Sequence, residues 1–300
     1  MTSQEIETET QRHTLSGMAF RVVPLSLTRR RVQNYLRFSA RHWGFAALAT
    51  CDIECYITFA EACRVQKVRP PSLIAYVTRC LGAILQENLE LLAVQDGSRL
   101  VIPSQVNLLM AVESTSTEGE KIPSALCFKD IGKRHLDDIS REMTKRLREK
   151  NRERIPVTSP RFFPAHSPEA WQKIGALLKR RRGRTRTERL ELETCVRLSS
   201  TTPWLQGRSG WGMPLYVSTT LGVTMGGIAK RALVVDDEIV ARTCIDIALR
   251  FDHNLVDGAP ATRFYFALSQ EIESGRLLSE YPMVPRPSRT DVGCSAQSKA

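Results

Sequence analysis

The chain has 300 residues, 42% of them hydrophobic, and a formal net charge of +11 at pH 7. This is enough apolar content for one large core or two modest ones, and it excludes a collagen-like, coiled-coil or wholly disordered chain. The longest apolar runs, WGFAALA and the stretch from Ser72 to Leu85 broken by Arg79, fall short of the roughly 20 residues of a membrane helix.

The opening MTSQEIETETQRHTLSG carries glutamates and threonines where a signal peptide has a basic head and an apolar middle. A disordered tail over residues 1–20 and a cytoplasmic location are therefore expected. Eight cysteines are scattered through the chain, so reduced, buried thiols are expected rather than a disulfide framework. Cys51, Cys55 and Cys63 lie closest together, but without a CxxC pair or zinc spacing no metal site is expected.

In chain order, SLTRRRVQNYLRF predicts a short helix opened by Thr28, with Val32, Tyr35 and Leu36 on one face. ALATCDIECYITF has strand character. Pro70 and Pro71 lead into SLIAYVTRCLGAIL, where Ile74, Val77, Leu81, Ile84 and Leu85 recur at helical spacing. QVNLLMAVES and IPSALCF read as two strands around TSTEGE, followed by a helix with Leu136, Ile139, Met143 and Leu147 on one stripe.

Residues 151–190 interrupt this order as an insertion or lid, a proline-marked loop and then an amphipathic helix ending in KRRRGRTR at 179–186. Phe162, Phe163, Trp171 and Leu177 are expected to pack on the body, with contact to a membrane surface as the alternative. The basic run has no interleaved aromatic residues for base stacking, so nucleic acid is not the expected partner. It reads either as a solvated helix end or as a docking patch for an acidic partner.

Strands return with CVRLSS, then YVSTTLGVTMGGI, then a hairpin turning at Asp236 and Asp237 whose second strand aligns Ile245, Ile247, Leu249 and Phe251. A helix follows from about Gly258, with Ala261, Phe264, Leu268 and Ile272 facing inward. The fold class is one α/β domain, a mixed sheet with flanking helices, over residues 21–280, followed by a flexible tail at 281–300.

The segment FDHNLVDGAP, residues 251–260, ends the hairpin with His253 and Asp257 four apart beside a glycine. A histidine at a strand end is held yet reaches solvent, and its proton exchanges near neutral pH, as a general base requires. A structural turn residue accounts for it equally well. Asp257 has its own plain reading as a cap of the following helix.

HNLVDGAPATRF resembles the His-x-x-x-Asp-Gly signature of the chloramphenicol acetyltransferase and dihydrolipoamide acyltransferase superfamily, the catalytic domain of 2-oxoacid dehydrogenase complexes. The upstream hairpin, LGV at 221–223, SSTTPWLQG and PLSLTRRRV fall in the same order, so the resemblance spans roughly residues 21–280. It implies a chloramphenicol acetyltransferase-like fold and a homotrimer with active sites between subunits. It also implies that His253 is the general base that deprotonates an acceptor thiol or hydroxyl. By the same resemblance Ser199, with Ser200 as the adjacent alternative, would hold the oxyanion, and Asp257 would pair with Arg30 or Arg31 to fix the histidine loop.

The chain departs from the pattern at Asn254, where dihydrolipoamide acyltransferases usually carry arginine, and in its RLSST serine segment. No lipoyl domain or swinging linker precedes residue 21, so the resemblance implies a stand-alone acyltransferase. It would bind no permanent cofactor, and would move an acyl group from a coenzyme A thioester or an acyl carrier protein to a small hydroxyl, amine or thiol acceptor. The alternatives are a scaffold that has lost turnover, or a biosynthetic condensation or cyclisation protein on the same trimeric fold.

Overall fold

The computed structural model describes residues 11–15, 18–22, 43–96, 98–116, 119, 121–152, 154–155, 186–210 and 219–283. The predicted Thr28 helix, Arg30 and Arg31 lie outside the described residues, as does most of the 151–190 insertion with its aromatic residues and its basic run up to residue 185.

A mixed sheet organises the molecule. Its strands are β3 (Gly44–Asp52), β6 (Leu108–Ser116), β7 (Lys121–Phe128), β9 (Val196–Ser200), β10 (Leu221–Val235) and β11 (Glu238–Asp252), in the spatial order β3-β11-β10-β9-β6-β7, with the short β8 (Arg154–Ile155) beside β6. β9 runs parallel to both β10 and β6, while the β10–β11, β11–β3 and β6–β7 pairs are antiparallel. Two small ribbons stand apart from it, β1 (Gln11–Leu15) with β2 (Met18–Val22), and β4 (Val94–Asp96) with β5 (Arg99–Val101).

Among the described residues there are five α-helices, α1 (Glu54–Val65), α2 (Leu73–Gln86), α3 (Leu136–Arg152), α4 (Arg186–Glu193) and α5 (Gly258–Ser274), besides short 3-10 turns at Leu89–Leu92, Thr202–Trp204 and Arg276–Glu280. α2 forms where the periodicity predicts it, and the Ser72 side chain accepts the Ala75 N–H at its start, a cap worth about 1 kcal/mol. Val77, Leu81 and Leu85 are fully buried among residues of α3, α5 and the sheet, each contributing roughly 1.5–3 kcal/mol by leaving water. Leu136, Ile139 and Met143 of α3, and Ala261, Phe264, Leu268 and Ile272 of α5, are buried in the same core.

The β10–β11 hairpin turns at Asp236 and Asp237, both at positive φ (52° and 63°), the conformation that two-residue hairpin loops demand.

Three expectations are corrected. The strand signal of ALATCDIECYITF stops at Asp52, and ECYITF opens α1, with the Asp52 carboxylate accepting the Glu54 N–H at 2.8 Å. Residues 11–15 and 18–20, inside the expected disordered tail, form with 21–22 an antiparallel ribbon in register from Gln11↔Val22 to Leu15↔Met18, because backbone pairing satisfies strand-forming segments such as MAFRV. The folded part also continues past residue 280, since Tyr281 is 5% exposed and its hydroxyl donates to Arg69 O.

Gly82 permits the close approach of α2 to the loop before α3, because a Cβ there would lie 2.5 Å from Ile131 O. Gly82→Ala gains up to about 1 kcal/mol of helix propensity, but backbone overlap of this kind costs about 1–3 kcal/mol. We expect a net loss of stability, seen as a lower urea midpoint at unchanged m-value; a raised midpoint would contradict the packing described.

Candidate active site

Register determines which chemical groups share a face. Across the sheet centre Ser199 lies opposite Thr224, which lies opposite Ala248. The other parity, with Leu198, Val223 and Leu249, faces the helices and is buried. Ser199 therefore points to the face away from the helices, where its Oγ lies 2.7 Å from Thr224 Oγ1. Ser200 has helix-side parity, and its Oγ accepts the Thr202 N–H at 3.3 Å.

The segment after Ser200 is tied to β10. Thr201 N–H donates to Met225 O at 2.8 Å and Thr202 Oγ1 to Gly226 O at 2.7 Å. Gly207 N–H donates to Ile228 O at 2.8 Å, and Gly227 N–H to Gly210 O at 2.7 Å. These contacts meet a register irregularity between Met225 and Ile228, and a side chain at Gly227 would strike Arg208 O at 2.0 Å. Asp246, 4% exposed, accepts from Gly210 N, Thr50 Oγ1 and Arg231 Nη2.

His253 stands one residue past β11. Its N–H donates to Trp43 O at 2.7 Å, and its imidazole lies 4.8 Å, centroid to centroid, from the Phe45 ring, which stacks on Phe251. Phe45 and Phe251 pack with the helix-side core, so His253 sits at the end of the face opposite to Ser199. Its side chain is 54% exposed, held at the rim with access to solvent.

Asp257 Oδ1 is 3.8 Å from His253 Nδ1, beyond hydrogen-bond length, and its side chain is 88% exposed. It occupies the cap position of α5 without a side-chain capping bond, so the simple capping role is not realised. Arg30 and Arg31, its expected partners, lie outside the described residues.

Ser199 and His253 thus do not meet within one chain. From Ala248 to His253 the strand advances five residues, about 16 Å, and two strand spacings add about 10 Å sideways. Sequence reasoning missed Thr224, Phe45, Trp43 and Asp252 as neighbours of these groups. Thr224 and Phe45 emerge only from strand register, whereas Asp252 adjoins the histidine in sequence.

The cysteines offer no thiol–imidazole pair with His253 among the described residues. Burial pushes Cys51 up to about 12 and Cys80 further. A hydrogen bond with the Cys195 thiol, aided by Arg146 and Lys129 against partial burial, brings Cys127 down to about 7. Cys127 belongs to β7, four strands from β11. No group of His, Cys, Asp or Glu suited to a metal ion occurs among the described residues, nor any helix long and apolar enough to cross a membrane.

Residues 220–279 match the family model described as 2-oxoacid dehydrogenases acyltransferase (catalytic domain). The dihydrolipoyllysine-residue acetyltransferase component of the pyruvate dehydrogenase complex of Rickettsia felis is 41% identical over 61 residues, 20% of this chain and 14% of that protein. The Rickettsia bellii counterpart is 41% identical over 64 residues, 21% of this chain and 15% of that protein. The chain thus aligns with about one seventh of the length of these relatives.

The same fold occurs in a probable dihydrolipoamide acetyltransferase from Listeria monocytogenes, with a TM-score of 0.62 at 14% identity, covering 84% of this chain and 94% of that one. It recurs in a truncated catalytic core of the 2-oxoacid dehydrogenase multienzyme complex from Thermoplasma acidophilum, with a TM-score of 0.59 at 15% identity, covering 85% and 98%. The resemblance read from the HNLVDG segment is therefore borne out, by sequence over residues 220–279 and by fold over most of the chain.

Cys127 supplies a check on the electrostatics at the β7 edge of the sheet, apart from the candidate site. On titration with iodoacetamide we expect it to react ahead of Cys51, Cys80 and Cys195, at a rate that rises through about pH 7 as its thiolate forms. Equal reactivity of these four thiols by peptide mass spectrometry would contradict the arrangement.

Proposed function

We propose that the protein is an acyltransferase that moves an acyl group from a coenzyme A thioester, or from an acyl carrier protein, to a hydroxyl, amine or thiol acceptor. The observation that carries this reading is the family match over residues 220–279, which contains His253 at a strand end. The acidic phosphates of coenzyme A and the surface of an acidic carrier would both be drawn to a chain of net charge +11.

In this reading an unprotonated ring nitrogen of His253 takes the proton of the acceptor as the acceptor's lone pair attacks the thioester carbonyl. The carbonyl π electrons move onto oxygen, and the Ser199 hydroxyl donates to that oxyanion. Collapse re-forms the carbonyl, breaks the carbon–sulfur bond and expels the thiolate, which recovers the proton from the imidazolium. If Thr224 is the donor of the Ser199–Thr224 bond, the serine proton is left for the oxyanion. One donor so placed is worth on the order of 3 kcal/mol in the transition state.

His253 and Ser199 lie on opposite faces of one chain's sheet, which supports a site shared between chains. The reading is a homotrimer in which the histidine of one subunit faces the serine of the next.

His253→Ala is expected to lower kcat at least about a hundredfold with the fold intact, measured on a panel of acyl-coenzyme A esters by thiol release. Ser199→Ala should lower kcat with little change in KM, and Ser200→Ala should do much less. Unchanged turnover in His253→Ala would remove the base from the mechanism, and no thiol release by the native protein with any donor would leave a scaffold. The shared site has its own test. Unfolding inactive His253→Ala and Ser199→Ala proteins together and refolding them should restore activity toward about a quarter of the native value, since cyclic interfaces sort at random. Mixed oligomers without recovery would overturn the shared site and remove Ser199 as the partner of His253.

A further inference from the structure

The turn that carries His253 is built on a single buried carboxylate. Asp252 is 3% exposed, and its Oδ1 accepts both the Asn254 main-chain N–H at 3.1 Å and the Asn254 Nδ2 at 2.7 Å. Its carbonyl accepts the N–H groups of Leu255 and Val256 at 3.1 and 3.0 Å, and its own N–H donates to Thr220 O at 2.8 Å. The residues on either side of His253 are thereby locked to each other and to the start of β10.

The imidazole itself is weakly restrained. Asp257 stands 3.8 Å away and the ring is half exposed, resting on Phe45. The direction in which it projects is therefore set by the backbone around it, and that backbone is fixed by Asp252 and Asn254.

We propose that Asp252 and Asn254 are positioning residues for His253, a buried carboxylate and a side-chain amide that together aim the imidazole. This rests on the reading of His253 as the base. It also gives Asn254 a role that arginine, a cation without an amide, would fill differently: the short amide closes a ring on the carboxylate two residues earlier, and a guanidinium on its longer stem reaches past that position.

Asn254 is exposed, so Asn254→Ala is expected to fold, with a slightly lower melting temperature from the lost hydrogen bond to Asp252. Its kcat should fall about tenfold with KM within twofold, as a slight loss of aim at the reacting centre produces. Asp252→Asn, which keeps an acceptor oxygen in place, should retain more activity than Asp252→Ala. A second readout needs no substrate. Resting on Phe45, the His253 ring protons carry a ring-current shift, and in Asn254→Ala their proton resonances should move toward those of a free histidine. Native kcat together with native His253 resonances in Asn254→Ala would overturn the proposal, whereas a fully active His253→Ala would overturn the base assignment and leave the resonance result to judge positioning alone.

Discussion

The two-residue pleat of the central strands is the constraint on which the remainder depends. Along β11 the odd-numbered residues from Ile245 to Phe251 enter the helix-side core, so the even-numbered Asp246, Ala248, Arg250 and Asp252 go to the other face. A one-residue slip would carry two carboxylates and a guanidinium, already buried, away from their hydrogen-bond partners and among leucines and isoleucines, at a cost of several kcal/mol for each ion. Register is therefore strongly specified. With it come the separation of Ser199 from His253 and the placement of Asp252 where it can hold the turn.

Much of this was legible in the sequence, for reasons particular elements make plain. α2 and α3 were readable because their buried stripes recur at three and four residues, and β11 because its apolar residues alternate up to His253. α1 was not, since its opening ECYITF holds aromatic and β-branched residues suited to a strand. What settles it as a helix is tertiary: Ala60 and Cys63 are buried in the body and Asp52 takes the Glu54 N–H. The histidine was visible through its motif, and the opposite facing of Ser199 and Ser200 emerges only from strand register.

The contrast between His253 and Asp257 shows how far a motif carries. Four residues of spacing bring the pair within 3.8 Å, yet Asp257 is the more exposed of the two. An exposed carboxylate interacts through water and ions that screen it, so its hold on the imidazole is slight. The carboxylate that ties the turn together is Asp252, bonded to Asn254 rather than to the ring, adjacent to His253 in sequence and inconspicuous in the motif.

Arg250 completes the same reasoning. It is the largest of the fully buried side chains, on the face and strand of Asp252, and its Nη1 donates to Thr219 O at 3.1 Å. A guanidinium is tolerated out of water only where its donors are used and room is left for its planar head. Room comes from Gly44 on the neighbouring strand, where a Cβ would lie 2.4 Å from Arg250 Nε. The glycine sits between Trp43, whose carbonyl takes the His253 N–H, and Phe45, whose ring supports the imidazole. A side chain there would push on the buried cation from the very strand that holds the histidine in place. The packing of Arg250 and the aim of His253 thus depend on one missing methyl group.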